Sequence, residues 1–193
     1  MATLGIDIGC ISVKMAVVGT GAERELLEAA GKADTFLQLS PDDPGMPHSS
    51  SPPLLVTRYQ RIKGTPAETA QSLLEEVLAA LPPETISGIR MTGSGGRLLA
   101  KSLDAPYENE FKAIARGVGI LHPHVDLVFE MGGETSKFIR LERDPEGRVG
   151  ICDYQGNGDC AAGTGSFMDQ QASRLLYEIE EVGEIVLGAG KAA

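Results

Sequence analysis

The sequence is poor in cysteine, in basic residues and in long hydrophobic runs, and each shortage excludes a class of protein. The three cysteines, an odd number, are Cys10, Cys152 and Cys160, which favours reduced thiols over a disulfide framework. Lys and Arg number 17 against 27 Asp and Glu, and the net charge of −10 argues against nonspecific nucleic-acid binding. No apolar run is long enough to span a membrane, so the composition predicts a soluble globular protein.

The N-terminal residues also lack the pattern of a secretory signal. Residues 1–7 contain no basic stretch followed by an apolar stretch, and they fit a first β-strand instead. A cytoplasmic location is therefore predicted. The 193 residues are enough for one large domain or two small domains with a hydrophobic core.

The order of the predicted elements is mixed α/β. Strands are expected at 3–8, 13–19, 54–62, 86–91, 125–131 and 135–141, and helices at 65–81, after 97, at 111–121 and at 167–182. Residues 25–32 fit either a strand or a short helix. Residues 40–53 hold five prolines and four serines, which excludes a regular strand and predicts an exposed inserted loop.

Two of these elements carry an expectation about burial. The strand at 125–131 is predicted to be buried. The long helix at 167–182 is predicted to turn its larger apolar residues inward, namely Phe167, Leu175, Leu176 and Ile179.

The first motif that can carry chemistry is an acidic, glycine-containing turn near the N-terminus. A strand ends at Asp7, Gly9 permits a sharp turn, and Ser12 and Lys14 lie on the returning strand. Backbone N–H groups across such a turn can bind phosphate oxygens, while Asp7 can hold Mg²⁺ through water and Lys14 adds a positive charge. An ordinary hairpin with a surface acid and a surface lysine fits the same residues.

A second motif, in residues 126–139, repeats this arrangement. An apolar strand with Glu130 leads into Gly132 and Gly133, and Glu134 and Lys137 follow. Two such turns in one chain are more specific than either one, and they predict a nucleotide held between two phosphate-binding turns. Glu130 or Glu134 can orient the attacking water or the metal shell, although Glu130 also fits a plain carboxylate at a sheet end.

A third motif surrounds Cys160, which is followed by Gly163, Thr164 and Gly165 and then by an amphipathic run. Small residues let the backbone approach a bulky group, and a helix that starts there directs its free N–H groups at an anion. Cys160 can supply a thiolate to a metal or an iron–sulfur cluster, and a tight turn with a buried thiol fits equally well. Three cysteines cannot complete a four-thiolate site, so a cluster must be shared between chains or use other ligands.

These motifs, with the glycine turn at 92–97 between them, resemble the BadF/BadG/BcrA/BcrD ATPase family, especially the activators of 2-hydroxyacyl-CoA dehydratases and the N-terminal part of long CoA-enzyme activases. The resemblance runs over residues 4–190, except for an insertion at about 36–63. It implies an α/β fold of the acetate kinase/sugar kinase/Hsp70/actin type (ribonuclease H-like), with ATP or ADP and Mg²⁺ between two lobes. The first lobe is expected at 1–141, and the start of the second at 142–193.

The resemblance also implies a mechanism and site residues. A homodimer would hold one [4Fe–4S] cluster at its interface with two cysteines from each chain, Cys160 being the first ligand. ATP hydrolysis would then drive a low-potential electron to an acyl-CoA dehydratase or reductase. The candidate catalytic residues are Asp7, Glu130 and Glu134. The candidate nucleotide-binding residues are Gly9, Cys10, Ile11, Ser12, Val13, Lys14, Gly93, Gly132, Gly133, Glu134, Lys137, Gly163, Thr164 and Gly165.

The sequence departs from the family pattern in several places. It ends at Ala193, before the family's second ligand cysteine and its adenosine-binding glycine motif, which predicts a truncated fragment. Cys10 stands where the family often has serine, and Glu130 and Thr135 stand where short activators have aspartate. Cys152 matches no ligand of the family and is expected to be a buried or idle thiol, with a substitute cluster ligand as the alternative.

Two other functions fit a chain of this fold. A small-molecule kinase would bind ATP in the same cleft but would have no use for Cys160. A non-enzymatic lobe that docks to a partner would not need to bind nucleotide at all.

Overall fold

Strands and helices alternate along the described part of the chain, which in this computed structural model comprises residues 1–38, 52–62, 65–157 and 164–191. The predicted mixed α/β character is confirmed. The strands are β1 (Ala2–Ile8), β2 (Ser12–Val18), β3 (Leu54–Val56), β4 (Gln60–Arg61), β5 (Ile86–Thr92), β6 (Leu127–Met131), β7 (Ser136–Arg143) and β8 (Val149–Gly156). The α-helices are α1 (Arg24–Ala30), α2 (Pro66–Ala79), α3 (Gly96–Ser102), α4 (Glu110–Leu121), α5 (Gly165–Arg174) and α6 (Ile179–Gly188).

The first sheet has the strand order β3-β2-β1-β5, and β4 also pairs with β2. β1 is antiparallel to β2 and parallel to β5. Alternate residues of β1 are at most 3% exposed, because successive side chains of a strand point to opposite faces. The buried β1 residues are Ala2, Leu4, Ile6 and Ile8, and α2 packs Leu73 and Val77 into the same core.

The second sheet is antiparallel, with the order β6-β7-β8. Its small core is formed by Ala115 of α4 with Ile139 and Leu141 of β7, and Val128 of β6 packs against it. The prediction that 125–131 is a buried strand is wrong. The side chains of Leu127, Phe129 and Met131 are 48%, 69% and 76% exposed, because β6 is an edge strand and only its alternate residues face the α4 side.

The predicted single helix at 167–182 is two helices, α5 and α6. The chain breaks between them at Leu176, which has a left-handed backbone conformation with φ of 62°. Glu178 then caps α6, since its backbone N–H donates to Oε2 of Glu181. The expected inward orientation also fails, because Phe167, Leu175 and Leu176 are 44%, 66% and 92% exposed; Ile179 is half-buried.

The remaining predictions about elements have mixed outcomes. The ambiguous segment at 25–32 is helical, as α1, and the strand expected at 54–62 is divided into β3 and β4. Most of the proline-rich insertion, residues 39–51, lies outside the described residues. The division of the chain into lobes at residue 141 stays a prediction. None of the helices in the described ranges is long and apolar enough to cross a membrane.

Candidate phosphate-binding cleft

Both acidic glycine turns line one cleft of about 310 Å³ where the first and second sheets meet. This arrangement brings together most of the candidate site residues. The first turn contributes Asp7, Gly9, Cys10, Ile11, Ser12 and Lys14. The second turn contributes Glu130, Gly132, Gly133, Glu134, Thr135 and Lys137.

The first turn is closed by a backbone hydrogen bond from the N–H of Gly9 to the carbonyl oxygen of Ser12, at 2.9 Å. Asp7 and Lys14 lie directly opposite each other on β1 and β2. Their ion pair is long, at 3.4 Å from Nζ to Oδ2, and the side chains are 41% and 46% exposed. The ammonium of Lys14 is therefore held loosely and is accessible to an anion in the cleft.

Cys10 lies at the tip of the first turn, and its side chain is exposed. Partial burial raises the pKa of the Cys10 thiol above its ordinary value, and the nearby negative charge of Glu134 raises it further. The thiol therefore stays neutral at physiological pH. A neutral thiol does not repel a phosphate, although it is a weaker hydrogen-bond donor than a serine hydroxyl.

The second turn is closed in the same manner, because the N–H of Gly132 donates to the carbonyl oxygen of Thr135 at 2.8 Å. Gly133 lies directly against the first turn. A Cβ added at Gly133 would be 2.5 Å from Cγ1 of Ile11 and 3.0 Å from Sγ of Cys10. Only glycine fits there without displacing a neighbour, so the two turns are in direct contact.

A compact charge cluster lies beside the second turn. Nζ of Lys137 is 2.8 Å from Oε2 of Glu130 and 2.9 Å from Oε2 of Glu110, and it donates to Oγ1 of Thr135 at 3.1 Å. Burial by itself lowers the pKa of Lys137, but the hydrogen bonds and charges of the two glutamates outweigh it and raise the pKa above its ordinary value. Lys137 is therefore firmly protonated.

The N-terminus of α5 supports the second turn from outside the cleft. The N–H of Gly165 donates to the carbonyl oxygen of Gly132 at 2.9 Å, and the N–H of Ser166 donates to that of Gly133 at 2.8 Å. Thr164, at the N-cap position, is 2% exposed. Gly165 and Ser166 thus hold the turn in place, and Thr164 precedes them as the buried N-cap residue. The other two predicted residues of this motif, Cys160 and Gly163, lie outside the described residues.

Two further candidates, Gly93 and Val13, do not line the cleft: Gly93 lies beside Asp7, and Val13 is buried in the core. Gly93 directly follows β5 with φ of +90°, and a Cβ there would overlap the carbonyl oxygen of Ile8 and approach Oδ1 of Asp7 to 2.6 Å. Its lack of a side chain therefore lets β5 end next to Asp7. Val13 is fully buried in the core of the first sheet, so only its backbone lies near the turn.

The cleft also contains residues that sequence reasoning missed. They come from α4 and from the end of β5, and they are Thr92, Ser94, Glu110, Ala113 and Ile114. For this part of α4 the sequence predicted a helix, at 111–121. Asn109 marks the start of this helix, because its side-chain oxygen accepts from the N–H of Phe111 and Glu110 follows as the first helical residue, but this pattern does not place Glu110 in the cleft.

The described residues contain no group of three or more His, Cys, Asp or Glu side chains arranged to hold a metal ion. Direct coordination by the protein alone is thus not seen in that part of the chain. Mg²⁺ usually keeps several waters and binds through one or two carboxylates together with substrate phosphates, which suits Asp7.

Cys152 is exposed on β8, where its Sγ donates to the carbonyl oxygen of Arg140 at 3.4 Å.

Comparison with known proteins decides the family. A sequence profile of the BadF/BadG/BcrA/BcrD ATPase family matches residues 4–191. The chain belongs to this family. The family assignment made from the motifs is therefore confirmed.

Two characterised relatives are similar over part of their length. The 2-hydroxyisocaproyl-CoA dehydratase activator of Clostridioides difficile is 30% identical over 128 residues, which are 65% of this chain and 46% of that protein. The (R)-2-hydroxyglutaryl-CoA dehydratase activating ATPase of Acidaminococcus fermentans is 29% identical over 120 residues, 62% of this chain and 43% of that protein. The matched segment thus spans a little under half the length of these relatives.

A solved structure shows the same fold. The activator of the 2-hydroxyisocaproyl-CoA dehydratase from Clostridium difficile, with bound ADPNP, superposes with a TM-score of 0.67 at 24% identity. The superposition covers 100% of this chain and 59% of that chain. The expected actin-like ATPase fold is therefore confirmed.

Proposed function

We propose that this chain is the phosphate-binding part of an ATP-hydrolysing activator that serves an acyl-CoA dehydratase or reductase. The observation that carries the proposal is the meeting of the two acidic glycine turns at one cleft, with Gly133 packed against Ile11 and Cys10. Glycine-rich turns present backbone N–H groups that bind phosphate oxygens. Two such turns in contact suit a chain of phosphates lying across both of them.

The relatives support the proposed role as an activator of an acyl-CoA dehydratase. The matched proteins from Clostridioides difficile and Acidaminococcus fermentans are a dehydratase activator and a dehydratase-activating ATPase. Because this chain spans only part of them, the activity and the partner of the whole protein are proposals. The acyl-CoA acted on by the partner enzyme is left unspecified.

The residues of the cleft divide into three roles. The backbones of the two turns bind phosphate oxygens, and the loosely held Lys14 supplies a positive charge. Asp7 orders Mg²⁺ through water, and the bound ion neutralises phosphate charge during transfer to water. Glu130 and Glu134 line the cleft and are the candidates that orient the attacking water.

The Lys14→Met variant tests phosphate binding. It removes the accessible charge from the first turn and keeps a side chain of similar length. We expect the dissociation constant for Mg²⁺–ADPNP, measured by calorimetry, to rise by about tenfold or more, the usual scale for a lost charge-assisted hydrogen bond.

The matched control is Lys101→Met, on α3, which does not line the cleft and leaves the affinity unchanged. If Lys14→Met binds as tightly as the wild-type protein, Lys14 does not contact the phosphates. If the wild-type protein binds no nucleotide, the proposed function is wrong.

We also propose that Cys160 is one ligand of a [4Fe–4S] cluster shared by two copies of the chain, and that the cluster passes an electron to the partner enzyme. The support for this proposal is the family resemblance alone, because Cys160 lies outside the described residues. Iron and acid-labile sulfide in anaerobically purified protein should be lost in Cys160→Ser and kept in Cys152→Ser. Retention of iron in Cys160→Ser would contradict the proposal.

A further inference from the structure

We propose that Lys137 is a positioning residue, which holds Glu110 and Glu130 together in the wall of the cleft instead of binding phosphate itself. This inference rests on the proposed nucleotide-binding function and refines it. It separates the roles of the two lysines that sequence reasoning assigned together, Lys14 and Lys137. It also gives a role to Glu110, which sequence reasoning missed.

The first support is the number of bonds that Lys137 makes. An ammonium group carries three N–H donors. Nζ of Lys137 has three partners within bonding distance, at 2.8 Å (Glu130), 2.9 Å (Glu110) and 3.1 Å (Thr135). Two of these contacts are hydrogen bonds and the third is an ion pair, so binding a phosphate would require the ammonium to leave a partner it already has.

The second support is enclosure. The side chain of Lys137 is 10% exposed, whereas that of Lys14 is 46% exposed with a single ion pair at 3.4 Å. A charge that is largely removed from water is stable only with bonded partners of opposite charge. Lys137 and its glutamates therefore form one unit, and Lys14 is the lysine that can turn toward an incoming anion.

The third support is how the fold builds the cluster. Glu130 and Lys137 are directly opposite each other on β6 and β7, so the sheet register fixes this pair. Glu110 comes from a different element, as the first residue of α4, where the helix N-terminus favours a negative charge. Lys137 thus ties α4 to the second sheet at the point where both line the cleft.

The arrangement has a chemical consequence. Two glutamates beside a polyphosphate would repel each other and the ligand, and one ammonium between them reduces the net charge of the cluster from −2 to −1. Each carboxylate that accepts a bond from Lys137 through Oε2 still has Oε1 to accept a bond from water. Lys137 therefore acts on the orientation of the glutamates, and its loss should affect hydrolysis more than nucleotide affinity.

The test compares Lys137→Met with Lys14→Met in the full-length protein. We expect Lys137→Met to change the dissociation constant for Mg²⁺–ADPNP by less than about threefold, while Lys14→Met weakens it by about tenfold or more. In ATP hydrolysis, Lys137→Met should lower kcat with KM nearly unchanged, because binding is kept and orientation is lost. Equal losses of affinity in the two variants would overturn the positioning role.

A second measurement covers the case in which Lys137→Met folds poorly. Lys137→Arg keeps a positive charge with several donors and should recover most of the kcat. Glu110→Gln and Lys137→Gln, which each remove one charge of the pair, combined in a double-mutant cycle on the melting temperature, should be non-additive because the two side chains are in contact. Additive effects would overturn the inference, and this result does not depend on whether nucleotide binds.

Discussion

At the scale of single residues, Cys10 has the most directly measurable chemistry. Its side chain is exposed, yet burial and Glu134 raise its pKa, so little thiolate is present near neutral pH. We predict that Glu134→Gln lowers the pKa of Cys10 and speeds its alkylation by iodoacetamide at pH 8. Peptide-resolved mass spectrometry separates Cys10 from the other two cysteines.

The control for that experiment is Glu84→Gln, which removes a carboxylate that is not among the causes of the pKa shift. It should leave the alkylation rate of Cys10 unchanged. Addition of Mg²⁺–ADPNP should slow the alkylation of Cys10, because the thiol lies in the cleft. An alkylation rate that is the same in Glu134→Gln and wild type would show that Glu134 does not control this thiol.

Sequence reasoning placed correctly those residues whose position is set by their neighbours in the chain. Asp7, Gly9 and Lys14 lie on one hairpin, so their meeting in the cleft could be predicted from spacing. Glu110 could not be found in this way. Its role depends on packing between α4 and β7, a long-range contact that no local pattern encodes.

At the scale of elements, the end of β5 depends on Gly93. Its φ of +90° is unfavourable for other residues, and a Cβ would overlap the carbonyl oxygen of Ile8. We predict that Gly93→Ala lowers the free energy of unfolding by more than about 1 kcal/mol, as expected for a strained backbone position. Urea unfolding followed by circular dichroism measures this.

Gly88→Ala is the matched control, since Gly88 lies in β5, the strand that Gly93 follows, and a Cβ there would have no heavy atom within 4 Å. It should be neutral or slightly stabilising, because alanine has less conformational freedom to lose on folding. If the two variants are equally stable, the close packing of Gly93 against Ile8 and Asp7 does not constrain this turn.

The elements also show where hydrophobic patterns mislead. The apolar run at 125–131 is typical of a buried strand, but β6 lies at a sheet edge and one of its faces is exposed. The break between α5 and α6 falls at Leu176, without the glycine or proline that usually marks the end of a helix. The position of β6 in its sheet is decided by tertiary structure, whereas Leu176 takes the left-handed position of a local helix-end motif, in which the N–H of Tyr177 donates to the carbonyl oxygen of Ala172 at 3.0 Å.

At the scale of the whole molecule, the two sheets are joined by few but specific contacts. Besides the packing of the turns, Arg61 of β4 binds Asp169 of α5 at 2.6 Å, across 108 residues of sequence. This ion pair raises the pKa of Arg61. It connects the first sheet to the helix that supports the second turn, so the position of that turn depends on both sheets.

The overall architecture could not have been derived from periodicity alone. Alternation and capping predicted most strands and helices, but the strand order and the meeting of the two turns are long-range properties. The resemblance of the motifs to one ATPase family supplied the fold, and the family profile and the solved structure confirm it. A cluster, a dimer and a partner enzyme stay proposals.

The measurement that tests the central claim most directly is a calorimetric titration of Mg²⁺–ADPNP into the wild-type, Gly133→Ala and Gly88→Ala proteins. A Cβ at Gly133 would lie 2.5 Å from Cγ1 of Ile11, so the Ile11 side chain or the turn that carries it must move. The account predicts binding by wild type and Gly88→Ala, with affinity at least about tenfold weaker in Gly133→Ala, a loss of about 1.4 kcal/mol. Absence of binding by the wild-type protein, or equal affinity in a folded Gly133→Ala, would contradict it.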